Sequence, residues 1–208
     1  MTRRATLLSR LAAAVSIVAV VAAIGVMGNQ HLGYDGKIAP FLVPGRIGET
    51  VTTRTFDFTV QSARLARALS AAPKPGAINA PPLTTSGIWL IVHARIAART
   101  APVRLMSVRL HARDGDDYSA ARNRMLDMKY TRWLLSENAT DPGIPREGWL
   151  AFELPPSRVS GVRLRVASTF GDASLDNLTD IDLGIDEARL EELQRDAADV
   201  FVIGKDTP

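Results

Sequence analysis

The chain has 208 residues, with 25 Lys and Arg against 22 Asp and Glu, a formal charge of +3, and 46% hydrophobic residues. That apolar fraction suffices for a packed core and excludes global disorder. Cysteine is absent, which excludes disulfides, thiolate metal sites, thiol catalysis and a lipidated N-terminal cysteine.

Residues 1–10 carry Arg3, Arg4 and Arg10 and no acid, and residues 11–28 follow as eighteen positions without a charge. At about 1.5 Å per residue a helix of that length spans about 27 Å, close to the hydrocarbon thickness of a bilayer. The arginine flank predicts a cytoplasmic N-terminus, a transmembrane anchor over 11–28 and an extracytoplasmic remainder. A cleaved signal peptide is the alternative, with Ala23-Ile24-Gly25 as a small-x-small cleavage site. Its apolar region ordinarily runs about 7–15 residues, so the length favours the uncleaved anchor. Residues 29–47, with Gly33, Gly36, Pro40, Pro44 and Gly45, read as a stalk linker.

From Thr50 the hydrophobic period becomes two. Phe56, Phe58 and Val60 alternate with Asp57, Thr59 and Gln61 as a half-buried strand. Near Ser62 the apolar phase passes to Leu65 and Leu69, as a β-bulge would cause. Prolines at 73, 75, 81 and 82 predict a loop. Ile88, Leu90, Val92, Ala94 and Ile96 form one face of a long strand; Met106, Val108, Leu110 and Ala112 form one face of the next. Pairing 94 with 108 in an antiparallel hairpin puts both sets on one side. The other side then carries Trp89, Ile91, His93 and Arg95 beside Arg109, His111 and Arg113.

Asp114-Gly115-Asp116-Asp117 is a turn by composition. In residues 119–141, Leu126, Tyr130 and Trp133 or Leu134 have helical spacing, with Arg122, Arg124, Lys129 and Arg132 around them, so a short helix is predicted. Leu150, Phe152 and Leu154 form the next strand. Val162, Leu164 and Val166 oppose Arg163 and Arg165, while Ile181, Leu183 and Ile185 oppose Asp180, Asp182 and Asp186. A hairpin of these two would set an arginine row against an aspartate row. Leu190, Leu193, Ala197 and Phe201 make a closing helical stripe, with Asp186 as its cap.

About seven strands at this spacing predict a mainly β protein: an antiparallel β-sandwich over 48–186, followed by an acidic C-terminal helix and tail over 187–208. Residues 46–165 hold 18 basic and 10 acidic groups, and residues 166–208 hold 3 and 11. The acidic end is therefore expected to fold back on the basic body, close enough to escape screening over about 8 Å. An exported domain seldom meets nucleic acid, so none is expected as a partner.

Gly87-Ile88-Trp89-Leu90-Ile91-Val92, Asp114-Gly115 with Tyr118, Pro142-Gly143, and Gly148-Trp149-Leu150-Ala151-Phe152-Glu153-Leu154-Pro155 follow in that order. This succession resembles the telokin-like, immunoglobulin-like domains of bacterial membrane-anchored proteins and lipoproteins, over roughly residues 50–185. Ala98-Arg99-Thr100 stands where that family usually has an Asn. The resemblance implies an immunoglobulin-like sandwich and an extracytoplasmic interaction module. The family has no shared activity and so supplies no catalytic residue.

Candidate chemistry is sparse. His93 and His111 on one face lack the further ligands zinc needs, and three arginines nearby oppose a cation. Asp180-x-Asp182-x-Gly184-x-Asp186 falls short of a calcium loop, because Ile and Leu occupy the intervening positions. Neither a Gly-x-Ser-x-Gly elbow nor a His-Glu-x-x-His pair occurs. No cofactor, metal or catalytic role is assigned. The candidate interaction residues are Trp89, Ile91, Arg95, Arg109 and Arg113, with the basic and aromatic run Arg122, Arg124, Lys129, Tyr130, Arg132 and Trp133. The expectation is a non-catalytic protein-interaction module, an accessory subunit of a cell-envelope membrane complex. The alternative is an extracytoplasmic binder of anionic lipid or envelope glycan.

Overall fold

The computed structural model describes residues 16–22, 39–71, 81–121, 139–168 and 176–203. The chain divides into an N-terminal unit, Met1–Ala39, and a second unit, Pro40–Pro208. In the first, residues 16–22 are helical and exposed; the rest of the anchor predicted over 11–28 lies outside the described residues. No helix among the described residues is long and apolar enough to cross a membrane.

Among the described residues the second unit is a β-sandwich of two five-membered layers. The first sheet has the order β1 (Phe41–Arg46), β9 (Asn177–Asp182), β8 (Arg163–Ala167), β5 (Ser107–His111), β6 (Asp117–Ser119). The second has β10 (Phe201–Ile203), β3 (Phe56–Ala71), β4 (Leu83–Ala98), β7 (Arg146–Leu154), with β2 (Thr50–Thr52) beside β3. Alternation selects the inner faces. Phe56, Phe58, Val60, Leu90, Val92, Ile96, Leu150 and Phe152 from one layer meet Val108, Leu110, Leu164, Val166 and Ile181 from the other. The helix α1 (Glu187–Arg195) adds Leu190 and Leu193 to this core. Its cap is the predicted one: the Asp186 carboxylate accepts the Arg189 backbone N–H at 2.8 Å. The turn at 114–117 also forms as predicted, with Gly115 at φ +95°, a conformation costly for residues with a Cβ.

The hairpin of β4 with β5 does not form. β4 pairs with β3 and β7, whereas β5 pairs with β8 and β6 in the opposite sheet. The apolar faces of β4 and β5 do share one core, but from opposite sides of it. Period-two alternation reports which face is buried and is silent on whether the partner lies beside the strand or across the core. The connection between them carries Pro102 and is longer than a tight hairpin turn, as a crossing between layers requires.

Residues 41–46, within the stretch read as linker, form β1. Pro44 and Gly45 disguise it, yet an edge strand tolerates proline because one side of its ladder is unpaired. The sheets are also mixed, not purely antiparallel, since β1 pairs with β9 and β10 with β3 in parallel. Both strands come from the ends of the sandwich sequence and reach their partners by long connections, which parallel pairing needs. The helical stripe predicted through Phe201 stops at Arg195, and Phe201 belongs to β10. The bulge predicted near Ser62 is present between Val60 and Ser62, and a second lies between Ala66 and Ala68. That second slip turns Leu69 to the outer face, whereas Leu65 stays in the inner core.

Candidate interaction face

The outer face of β3, β4 and β7 would meet solvent in a simple two-layer sandwich. Here it carries a second apolar cluster of Ala66, Leu69, Trp89, Ile91, Ala121, Trp149, Ala151, Phe201 and Ile203. Trp89 and Ile91, expected either to form a contact patch or to be covered by the 119–141 segment or the C-terminal helix, are 1% and 0% accessible. β10 supplies part of the cover: Phe201 meets the Trp149 ring edge-on with centroids 5.0 Å apart. The Trp89 indole N–H is buried without a hydrogen-bond partner among the described residues. The signal for this second buried face was in the sequence. Gly87–Val92 and Gly148–Phe152 are nearly unbroken apolar runs, the pattern of strands covered on both sides.

His93, expected on the surface, is also buried. Its ring lies 4.3 Å from that of Trp149 at 33°. Burial holds its pKa below the usual 6.5; Glu147 opposes this and Arg64 adds to it. Beyond the histidine the face becomes polar. Arg95 Nε lies 3.9 Å from Glu147 Oε1, and Gln61 Nε2 donates to the same oxygen at 3.4 Å.

The three arginines expected to make one anion-binding face are dispersed. Arg95 stands on β4 in the second sheet. Arg109 stands on β5 in the first, 3.3 Å from Asp117, whose other oxygen is 2.7 Å from His111 Nδ1. Arg113 follows β5, 4.0 Å from Glu187. Because β4 and β5 belong to different layers, His93 and His111 do not share a face either. The run Arg122, Arg124, Lys129, Tyr130, Arg132 and Trp133, with the helix predicted there, lies outside the described residues.

The arginine and aspartate rows do face each other. Arg163 pairs with Asp182 and Arg165 with Asp180 in register. Arg163 Nε donates to Asp180 Oδ2 at 2.8 Å and Arg165 Nε to Asp180 Oδ1 at 3.1 Å. Each aspartate of the calcium-like motif therefore serves the fold. Asp180 bridges two guanidiniums, Asp182 accepts the Gly184 N–H at 2.8 Å, and Asp186 caps α1. Folding-back of the acidic end is visible in these pairs and in Arg67–Asp199 at 2.7 Å.

The chain is thus a mainly β, sandwich-type protein in which His93, His111 and the best-placed carboxylates among the described residues hold strands and turns in place. No family model matches it, and no curated protein does. Among solved structures it is similar to the yjhA protein of Bacillus subtilis, at 14% identity over 66% of this chain and 99% of that one, TM-score 0.48. It is also similar to an uncharacterized β-sandwich protein of Clostridium difficile 630, at 14% identity over 69% and 95%, TM-score 0.45.

Proposed function

We infer that this protein is a non-catalytic interaction module: a telokin-like, immunoglobulin-like sandwich held outside the cytoplasm by a single N-terminal transmembrane helix, as an accessory subunit of a cell-envelope membrane complex. The observation that carries the reading is the uncharged stretch 11–28 behind three arginines, followed by a domain of sandwich architecture. The side chains best suited to chemistry support it. His93 is stacked in an apolar cluster, His111 and Arg109 share Asp117, and Asp180 is clamped by two arginines. A nucleophile or general base needs an orienting partner and access to substrate, and these groups are engaged in packing and register.

Cross-linking in living cells followed by purification in mild detergent tests the reading, together with protease accessibility of the sandwich from outside the cytoplasmic membrane. An externally accessible sandwich that co-purifies with a defined membrane protein is expected. Recovery of the monomer alone under several conditions, or a sandwich facing the cell interior, overturns it.

A further inference from the structure

A short edge strand covers part of the second apolar cluster. β10 has three residues, paired in parallel with Leu69–Ala71 at the end of β3. Leading into it, the Ala198 N–H donates to Leu65 O at 3.1 Å, and the Arg67 N–H donates to Ala198 O at 2.9 Å. The ion pair of Arg67 with Asp199 is exposed on both sides and contributes little. The strand's main hold is the burial of Phe201 and Ile203 in the cluster of Trp149 and its neighbours.

The indole that Phe201 meets at 5.0 Å also packs on the imidazole of His93, at 4.3 Å. Rings from β4, β7 and β10 thus form a chain, and its β4 end takes up protons. Around that imidazole, β3 contributes Arg64 and the neutral Ser62. β4 contributes Arg95, two residues along the same face, and β7 contributes Glu147. β10 itself brings no charge. Glu147 is already shared by Arg95 and Gln61, so an imidazolium here finds no spare counterion among the described residues.

We propose that β10 is an acid-sensitive strap: protonation of His93 loosens its stack on Trp149 and lets β10 lift from β3, while the inner core and the first sheet stay folded. A buried imidazolium must be hydrated or paired, and hydrating this one means moving Trp149. Phe201 is the part of the indole's cover that can leave cheaply, because β10 lies at a sheet edge and outside the inner core. Its departure uncovers Trp149 together with the β3 backbone from Leu69 to Ala71. Burial holds His93 below its ordinary pKa of 6.5 in the closed form, and opening that restores the ordinary value takes up one proton. The opening constant therefore rises as pH falls through 6.5, by at most about tenfold between pH 7.5 and 5.5.

Hydrogen exchange of the full chain in detergent micelles, read by mass spectrometry and corrected for the intrinsic rate at each pH, measures the opening. From pH 7.5 to 5.5, a range clear of ordinary carboxylate titration, protection of 198–203 is expected to fall several-fold and by no more than about tenfold. The fall begins near pH 6.5, and protection of β8 and β9 stays constant. His93→Phe and His93→Gln, which cannot titrate, should flatten the response, whereas His111→Gln should retain it. In the wild type alone, no fall over this range, or an equal fall in β8 and β9, overturns the strap. A fall that persists in either folded His93 variant, or one that His111→Gln abolishes, overturns it as well.

Discussion

His93 and Trp149 stack with ring centroids 4.3 Å apart, paired across β4 and β7, so the imidazole replaces a core residue on the outer face of the second sheet. Desolvation there disfavours the imidazolium, and its pKa lies below 6.5. Between the folded value and 6.5 the unfolded chain binds the proton and the folded chain does not, so stability rises with pH across that window. The contribution is fully present above about pH 6.5 and declines as pH falls below it. Urea unfolding of the wild type and His93→Phe across that range should show the wild type losing stability relative to the variant on acidification. Parallel curves would contradict the assignment.

Asp180 is the shared acceptor of Arg163 and Arg165, with its side chain 13% accessible. Asp180→Ala removes the carboxylate that two half-buried guanidiniums share and leaves Arg165 without it, with Asp182 still 3.6 Å from Arg163. The expected cost is about 2–4 kcal/mol, at or below the range for breaking a buried pair because both arginines keep some solvent. Asp182, more exposed and 3.6 Å from Arg163, should cost less than about 1 kcal/mol through that ion pair. A variant Asp182→Ser retains a side-chain oxygen for the Gly184 turn, and chemical denaturation of both variants measures the difference.

Gly87 lies where β4 passes β7. A Cβ on it would stand 2.5 Å from Leu154 O and 3.1 Å from Leu154 C. Both obstacles are backbone, so the strands must separate locally to admit a methyl group. Gly87→Ala is therefore expected to cost about 1–3 kcal/mol. Amide exchange near Ile88 and Leu154 should accelerate while the β8–β9 amides keep their protection.

Phe201 anchors β10 over Trp149. Phe201→Ala removes a buried aromatic from a three-residue strand at a sheet edge. The loss should fall at or below the lower end of the about 3–5 kcal/mol typical of buried aromatics, because β10 can detach without global unfolding. Limited proteolysis should then trim the chain after α1 before cutting the sandwich, and Trp149 emission should shift to the red.

Much of the inner core was legible because each strand contributes alternating residues to it: Phe56, Phe58 and Val60, then Leu90 and Val92, then Leu164 and Val166. The Arg163–Asp182 and Arg165–Asp180 register was legible for the same reason, reinforced by charge. The candidate interaction face was legible only in part: the unbroken apolar runs at 87–92 and 148–152 signal strands covered on both sides, but alternation alone points the other way. Trp89, Ile91 and His93 occupy the phase opposite the inner core and so read as exposed. Their burial involves β10, whose Phe201 imitates a helical position by its spacing from Leu190, Leu193 and Ala197. Arg95 and Arg109 share a face only in a hairpin, and their two strands lie in different layers.

Local patterning determined the long strands and their inward faces, though not β1 or β10, together with the Asp186 cap, the Gly115 turn and the alternation behind the charge rows, since each depends on neighbours within a few residues of the chain. Only the tertiary structure decided which strands became neighbours, that β1 and β10 pair in parallel, and that the second sheet is covered on both sides. Those outcomes rest on contacts between residues far apart in sequence, where burying Trp89, Trp149 and Phe201 together outweighs the local preference of any one segment.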